Sequence, residues 1–291
     1  MLKRILITVF VLSFVGGCQT KQSIGPVTFS RLTGDYWQIW TMNPDGHNAK
    51  QLTTSPSDKR YPAWSREDGK RLFFRDNNNR AFVIDMATRE GKRILLQMGF
   101  IGNLAEAPNG NKLVVARFKS ELMDSSDLWL TDMEGQNRRI LTRDIGLTYD
   151  PAWSPNGKKI AYISGHGYQT HELCIINSDG TNKQKLTTNQ SLELLPAFSP
   201  DGKSIAYVSD LTGNYEVWLM DADGSNVRQL TKSEGIDTRP CWSPDGTEIL
   251  FVSSRGGNMQ LWIMNSDGSN PRQLTSGAPC TDPAWRTGMR R

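Results

Sequence analysis

One short phrase returns along this chain at intervals of about 44 residues: Ser178-Asp179-Gly180-Thr181, Ala222-Asp223-Gly224-Ser225 and Ser266-Asp267-Gly268-Ser269. An earlier copy, Pro44-Asp45-Gly46-His47, stands near the start. Self-similarity at that period requires stacked copies of one small unit, for which four-stranded propeller blades are the usual solution.

The unit is legible from Pro196-Ala197-Phe198-Ser199-Pro200-Asp201-Gly202-Lys203 onward. Residues 205–208 and 217–220 are short runs of β-formers bounded by Gly, Asn, Asp and Pro, which is the signature of strands. Pro-Asp-Gly, Pro-Asn-Gly and Asp-Gly supply the fixed φ of proline and the positive φ of glycine that tight hairpins need. Each unit therefore predicts four strands joined by turns.

Two columns of large side chains count the units. The first strands give Trp64, Trp153, Phe198, Trp242 and Trp285, with a weak copy in which Glu106 takes the aromatic place. The third strands give Trp40, Phe82, Trp129, Cys174, Trp218 and Trp262. Both columns predict six blades, with these side chains filling the spaces between neighbours. Glu106 reads either as a carboxylate turned into the channel or as the mark of a degenerate blade.

The chain ends predict how the ring closes. Arg31-Leu32-Thr33-Gly34-Asp35-Tyr36 matches Asp210-Leu211-Thr212-Gly213-Asn214-Tyr215, so residues 26–30 fill a second-strand slot. Thr281-Asp282-Pro283-Ala284-Trp285 is a first strand with little after it. The C-terminal strand should complete the N-terminal blade and leave no open half-blade edge. The expected fold is all-β, a six-bladed propeller over residues 26–291.

The N-terminus reads differently. Lys3 and Arg4 precede an apolar run over residues 5–15, too short to span a bilayer, followed by Gly16-Gly17-Cys18. Residues 1–17 are an export signal, and Val15-Gly16-Gly17-Cys18 resembles the bacterial lipobox, with Val15 where Leu is usual. Lipidation of Cys18 would leave residues 18–25 as a tether of at most about 25 Å, and more than one acyl chain would make the attachment stable. An ordinary signal peptide is the alternative. Without an aspartate after the cysteine, enteric-type sorting implies the outer membrane.

Removal of residues 1–17 takes away Lys3 and Arg4, lowering the formal charge from +4 to +2. That balance, with no cluster of basic and aromatic residues, gives no footing for nucleic acid. Export permits disulfides, yet no spacing rule pairs Cys174, Cys241 and Cys280.

Pro-Ala-Trp-Ser-Pro-Asp/Asn-Gly-Lys, then Ile-Ala-Tyr, then Asp-Gly-Ser/Thr-Asn and Gln-Leu-Thr, as in residues 151–163 and 221–231, resemble the repeat of the TolB-type propeller family. The resemblance covers residues 26–286. It implies a six-bladed periplasmic propeller acting as a protein-interaction hub of the cell envelope. The chain departs from that family in showing no separate N-terminal α/β domain before its strand repeats, and in the lipobox. Envelope protein partners are thus expected, without transfer of any particular one.

Catalysis finds little support. No Gly-x-Ser-x-Gly nucleophile elbow occurs. The only histidines are His47, His166 and His171, of which the last two are expected in one solvated loop rather than in a metal site. Asp221-Ala222-Asp223-Gly224-Ser225-Asn226 lacks the spaced ligands of a calcium loop and reads as a turn whose Asx side chain bonds nearby backbone N–H groups. No cofactor is expected.

Binding residues should gather where the loops of all blades converge. The position before each inner strand offers a ring of Tyr61, Asn103, Asp150, Leu195, Arg239 and Asp282, with Arg60, Tyr149, Glu193 and Asp237 just outside. Exposed Arg and Tyr among carboxylates suit capture of a peptide or polar ligand. Solvated loop residues are the other reading. The expected function is a non-enzymatic, membrane-anchored scaffold binding an envelope protein, with a carbohydrate-binding or carbohydrate-cleaving propeller as the alternative.

Overall fold

The computed structural model describes residues 25–95, 98–120, 122–144, 146–166 and 170–286. The signal over residues 1–17, Cys18 and most of the tether lie outside these. Every named element is a strand. In chain order, β1 (Val27–Thr33), β2 (Tyr36–Met42) and β3 (Lys50–Gln51) precede five four-strand groups. These are β4 (Lys59–Trp64), β5 (Arg71–Asp76), β6 (Ala81–Asp85), β7 (Gly91–Arg93); β8 (Ile101–Glu106), β9 (Leu113–Phe118), β10 (Ser126–Thr131), β11 (Arg139–Ile140); and β12 (Leu147–Trp153), β13 (Lys159–His166), β14 (Thr170–Asn177), β15 (Gln184–Lys185). The last two are β16 (Glu193–Phe198), β17 (Ser204–Ser209), β18 (Glu216–Asp221), β19 (Arg228–Gln229) and β20 (Asp237–Trp242), β21 (Glu248–Ser253), β22 (Gln260–Asn265), β23 (Arg272–Gln273). The final strand, β24 (Cys280–Trp285), pairs antiparallel with β1, so blade 1 has the order β24-β1-β2-β3. This is the six-bladed ring with the closure that the chain ends imply.

The core is divided into six clusters, each built from two neighbouring blades. Trp64, Trp153, Phe198 and Trp285 are buried within them, and Trp242 packs against one. Cys174 and Trp218 of the third-strand column are buried too. Because each sheet is apolar on both faces and hides them only against its neighbours, opening the ring anywhere exposes two faces at once.

The Gln-Leu-Thr phrase acquires a reason in the register. The hydroxyls of Thr53, Thr142, Thr187, Thr231 and Thr275 accept the backbone N–H of Ile39, Leu128, Leu173, Val217 and Leu261, each at 2.9 Å. Four of them donate onward to Gln38, Glu172, Glu216 or Gln260 at 2.6–2.8 Å. The last strand of each of these blades is too short to pair with that N–H, so a side chain does. In the Asp-Gly turns the Asx reading holds: Asp45, Asp179, Asp223 and Asp267 each accept the N–H two residues on. Gly224 there has a φ of 92°, and Gly268 is further fixed because a Cβ would stand 2.8 Å from the Leu230 carbonyl.

Within a blade the strands alternate in direction, and the inner strands run the same way around the axis. One face of the ring, the mouth face, therefore collects the loops that enter each first strand and that join second to third strands. The opposite face, the turn face, collects the tight Pro-Asp-Gly and Asp-Gly turns.

Candidate functional site at the channel mouth

The inner strand of each blade is interrupted near its start. Register shifts fall between Arg60 and Ala63, Ile101 and Leu104, Tyr149 and Ala152, Leu194 and Ala197, and Thr238 and Cys241. In four of these the bulge comprises a ring residue and a proline, which has no N–H to give to the ladder. Tyr61, Asp150, Leu195, Arg239 and Asp282 all take positive φ, between 49° and 57°. Asn103, followed by Leu104 instead of proline, is the ring position without it. Left-handed backbone at a bulky residue stores about 1–3 kcal/mol, and here it is repeated around one opening. The ring residues thus lie inside the first strands, at the bulge, and not before them as the sequence suggests.

All six ring positions line one cavity of about 220 Å³ on the axis, together with the prolines, Phe73, Phe74 and Arg75. Polar contacts connect the ring from blade to blade. Asp282 receives Arg239 Nη1 at 3.1 Å from blade 6 and Arg60 Nε at 3.2 Å from blade 2. The Tyr61 N–H also points to Asp282, at 3.4 Å. Arg75 donates to Asn103, Asn103 donates to Asp150, and Asp150 accepts the Leu195 N–H at 3.2 Å. The Tyr61 ring has the guanidinium carbons of Arg75, Arg60 and Arg239 at 4.2, 5.0 and 5.2 Å. Burial pushes the Asp150 carboxyl above its ordinary range, against the pull of the Asn103 hydrogen bond and the Arg239 and Arg75 charges. Burial likewise lowers Arg75, which stays charged. Three guanidiniums at one aromatic ring, in a cavity that two carboxylates also line, can take up a carboxylate or a peptide backbone, since Arg presents several fixed donors.

The outer group divides. Arg60 belongs to the mouth, over Tyr61 and also 4.8 Å from the Trp37 ring. Tyr149 turns away to bond its hydroxyl to His171 Nδ1, and burial raises its phenol. Glu193 and Asp237 are corrections, because both are fully buried and cannot offer an exposed carboxylate. Glu193 accepts from Asn189 and Ser191 at 2.8 and 2.6 Å, and Asp237 pairs with Arg255. His171 also departs from the expectation: it lies in β14 opposite Gly165, not in a solvated loop. Glu106 faces neither the channel nor empty space. It takes the Arg66 N–H at 2.7 Å and Arg71 Nη2 at 3.0 Å, so an ionic contact replaces the aromatic between blades 2 and 3. Cys174, Cys241 and Cys280 are free thiols, and burial raises Cys174 and Cys241 to about 11.

Sequence reasoning missed the apolar side chains of the mouth face. Of the eight exposed large hydrophobic residues among those described, Phe100, Leu122, Met123, Leu211, Ile236 and Met259 lie in mouth-face loops and Tyr36 opens β2 at the same face, while only Val227 lies in a turn-face hairpin. Each looks like a stray loop residue in sequence, and only the ring brings them to one side. Seven of the eight thus share one side of the ring, distributed over four blades.

These features define a closed six-bladed β-propeller with a cavity at its axial mouth. The sequence profile of the TolB beta propeller domain matches residues 27–167 and 114–288, and the chain belongs to that family. It is 33% identical over 140 residues to a protein TolB homolog of Chlorobium luteolum, covering 47% of this chain and 31% of that relative. The match thus spans about a third of the curated relative's own length. Among solved structures it resembles a TolB from Acinetobacter baumannii (TM-score 0.78, 20% identity, 91% of this chain and 67% of that one). It also resembles a TolB-type protein from Agrobacterium tumefaciens (TM-score 0.74, 23% identity, 89% and 91%). A weaker likeness is to an oligogalacturonate lyase in complex with manganese (TM-score 0.58, 18% identity, 84% and 72%). At these identities the solved structures speak for the fold alone.

Proposed function

We propose that this chain is a lipid-anchored envelope protein whose propeller is a non-enzymatic scaffold, holding a protein partner at its mouth face. The observation that carries the reading is the mouth itself: Arg60, Arg75 and Arg239 converge on Tyr61 in a cavity that Asp150 and Asp282 also line, on the face that carries most of the exposed apolar side chains. Arg and Tyr anchors for a carboxylate or backbone, with exposed apolar side chains on the same face, suit a protein interface. Lipidation at Cys18 and an outer-membrane address rest on the lipobox resemblance and the residues after it. Family membership supports a periplasmic, protein-binding role in general.

The carbohydrate-cleaving reading has the lyase likeness in its favour. Among the described residues no group of three or more His, Cys, Asp or Glu is gathered to hold a metal ion.

In-cell crosslinking of the tagged full-length protein tests the scaffold, beside a Leu211→Ser/Met259→Ser variant whose changes are exposed and remote from the ring contacts. A discrete envelope protein captured by the wild type and lost from the variant is the expected result. Capture of none, together with a rise in melting temperature on adding an oligosaccharide, would replace the scaffold with the carbohydrate reading.

A further inference from the structure

The two faces of the ring differ in charge as well as in apolar content. Among the described residues, eight of the twenty exposed Lys and Arg stand in the turns of the turn face, beside nine of the twelve exposed Asp and Glu, and eight more exposed cations stand in the strands that start from those turns, seven of them in the outer strands. The mouth face keeps four exposed cations and three exposed anions. The excess of positive charge is therefore in the strands that start from the turn face, from Lys159 in one blade round to Arg272 in another.

The start of the fold is on that same face. Arg286 donates its N–H to the Pro26 carbonyl at 3.0 Å, and a Cβ on Gly25 would stand 2.6 Å from the Arg286 carbonyl oxygen. Both residues lie at the edge where first strands end and second strands begin, beside the Pro-Asp-Gly turns. Chain preceding Gly25 thus leaves from the turn face. To reach the mouth face it would have to pass the two outer strands of blade 1 and climb the length of a strand, about 30 Å in all. Seven residues from Cys18 reach about 25 Å.

We infer that the turn face lies against a bilayer carrying anionic headgroups, and that the mouth is held pointing away from it. This rests on the lipid-anchor reading. The tether then restricts the propeller to one orientation, and the basic residues near the surface add an attraction that falls off within a Debye length. The exposed apolar side chains of the mouth face, which a bilayer could otherwise take up, are turned toward protein partners. The occupant of the turn face is the lipid surface.

Full-length protein in vesicles of phosphatidylethanolamine with phosphatidylglycerol, carrying a headgroup-attached quencher, tests this. A fluorophore is placed at Lys158→Cys or Arg272→Cys on the turn face, and at Leu211→Cys or Met259→Cys on the mouth face. Mass spectrometry reads acylation of Cys18 in the same samples. Quenching several-fold stronger at 158 and 272 than at 211 and 259, reduced by Lys159→Glu and by salt, is expected. Acylated Cys18 with equal quenching on both faces, or stronger quenching at 211 and 259, overturns the orientation and leaves the anchor standing. Unacylated Cys18 removes the anchor and the orientation with it.

Discussion

Arg239 Nη1 lies 3.1 Å from Asp282 Oδ1, and this pair joins blade 6 to the blade that both chain ends build. The other carboxylate oxygen takes Arg60 from blade 2, so one buried side chain ties three blades together at the mouth. Asp282→Asn keeps the shape and removes the charge, leaving two guanidiniums without their anion. Both arginines keep 25–29% of their side-chain surface in water, which reduces the cost below that of a fully buried pair, to about 1–3 kcal/mol. Urea unfolding should show the loss, with Asp223→Asn in an exposed turn as the neutral control. Equal midpoints for the two variants would mean that the clasp contributes nothing to the ring.

Ring closure has a sharper test. Deleting residues 280–291 removes β24, with Cys280 and Trp285 from the cluster between blades 6 and 1 and Ala284 from the cluster between blades 1 and 2. It also exposes the ladder edge of β1, an invitation to pair with another chain. Loss of the cooperative melting transition and a tendency to aggregate are expected, in contrast to an ordinary tail truncation. A deletion variant melting at the wild-type temperature would contradict closure by this strand.

The threonine clamps predict a hydroxyl-specific effect. Thr231→Val is nearly isosteric but leaves the Val217 N–H and one Glu216 oxygen without the hydroxyl they share. A buried polar group stripped of its partner costs about 1–3 kcal/mol. Thr231→Ser restores the hydroxyl and should recover most of the stability in a denaturant titration. If Val and Ser variants unfold alike, the position is a packing site and the clamp has no energetic weight.

How far the sequence discloses this molecule depends on whether a residue's meaning is periodic. Trp64, Trp153 and Trp285 recur at a fixed place in the unit, so their burial between blades is readable without coordinates. Glu106 breaks the column, and its partners Arg66 and Arg71 stand 35–40 residues away, where only the packing of blade 2 on blade 3 brings them. The ring positions are likewise legible as one column. Their setting at a bulge with positive φ is not, because it depends on where the ladder to the next strand fails. Glu193 and Asp237 look like channel carboxylates because they stand two residues before a ring residue. Two residues along a regular strand return to the same side, but Leu195 and Arg239 stand in the bulge at positive φ and leave that alternation. Nor does sequence convey that four blades bring seven exposed apolar side chains to one face.

Burial of Glu193 carries a pH signature. Loss of hydration is the largest cause of its raised pKa, opposed by hydrogen bonds from Ser191, Asn189 and Ser209, and the Glu172 charge adds to the rise. A carboxyl raised in the native state binds its proton more tightly there than in the unfolded chain, where glutamate titrates near about 4.3. Its contribution is therefore fully present below that unfolded value and is lost as pH climbs through the raised native one. Glu193→Gln stays neutral throughout, keeping an oxygen for Asn189 and Ser191. Relative to wild type it should gain melting temperature by a few degrees at pH 8 and show no such gain at pH 4, as followed by circular dichroism in matched buffers. A variant displaced equally at both pH values would show that the substitution acts through packing, and that the buried carboxylate is not what makes the blade 4 to blade 5 seam sensitive to pH.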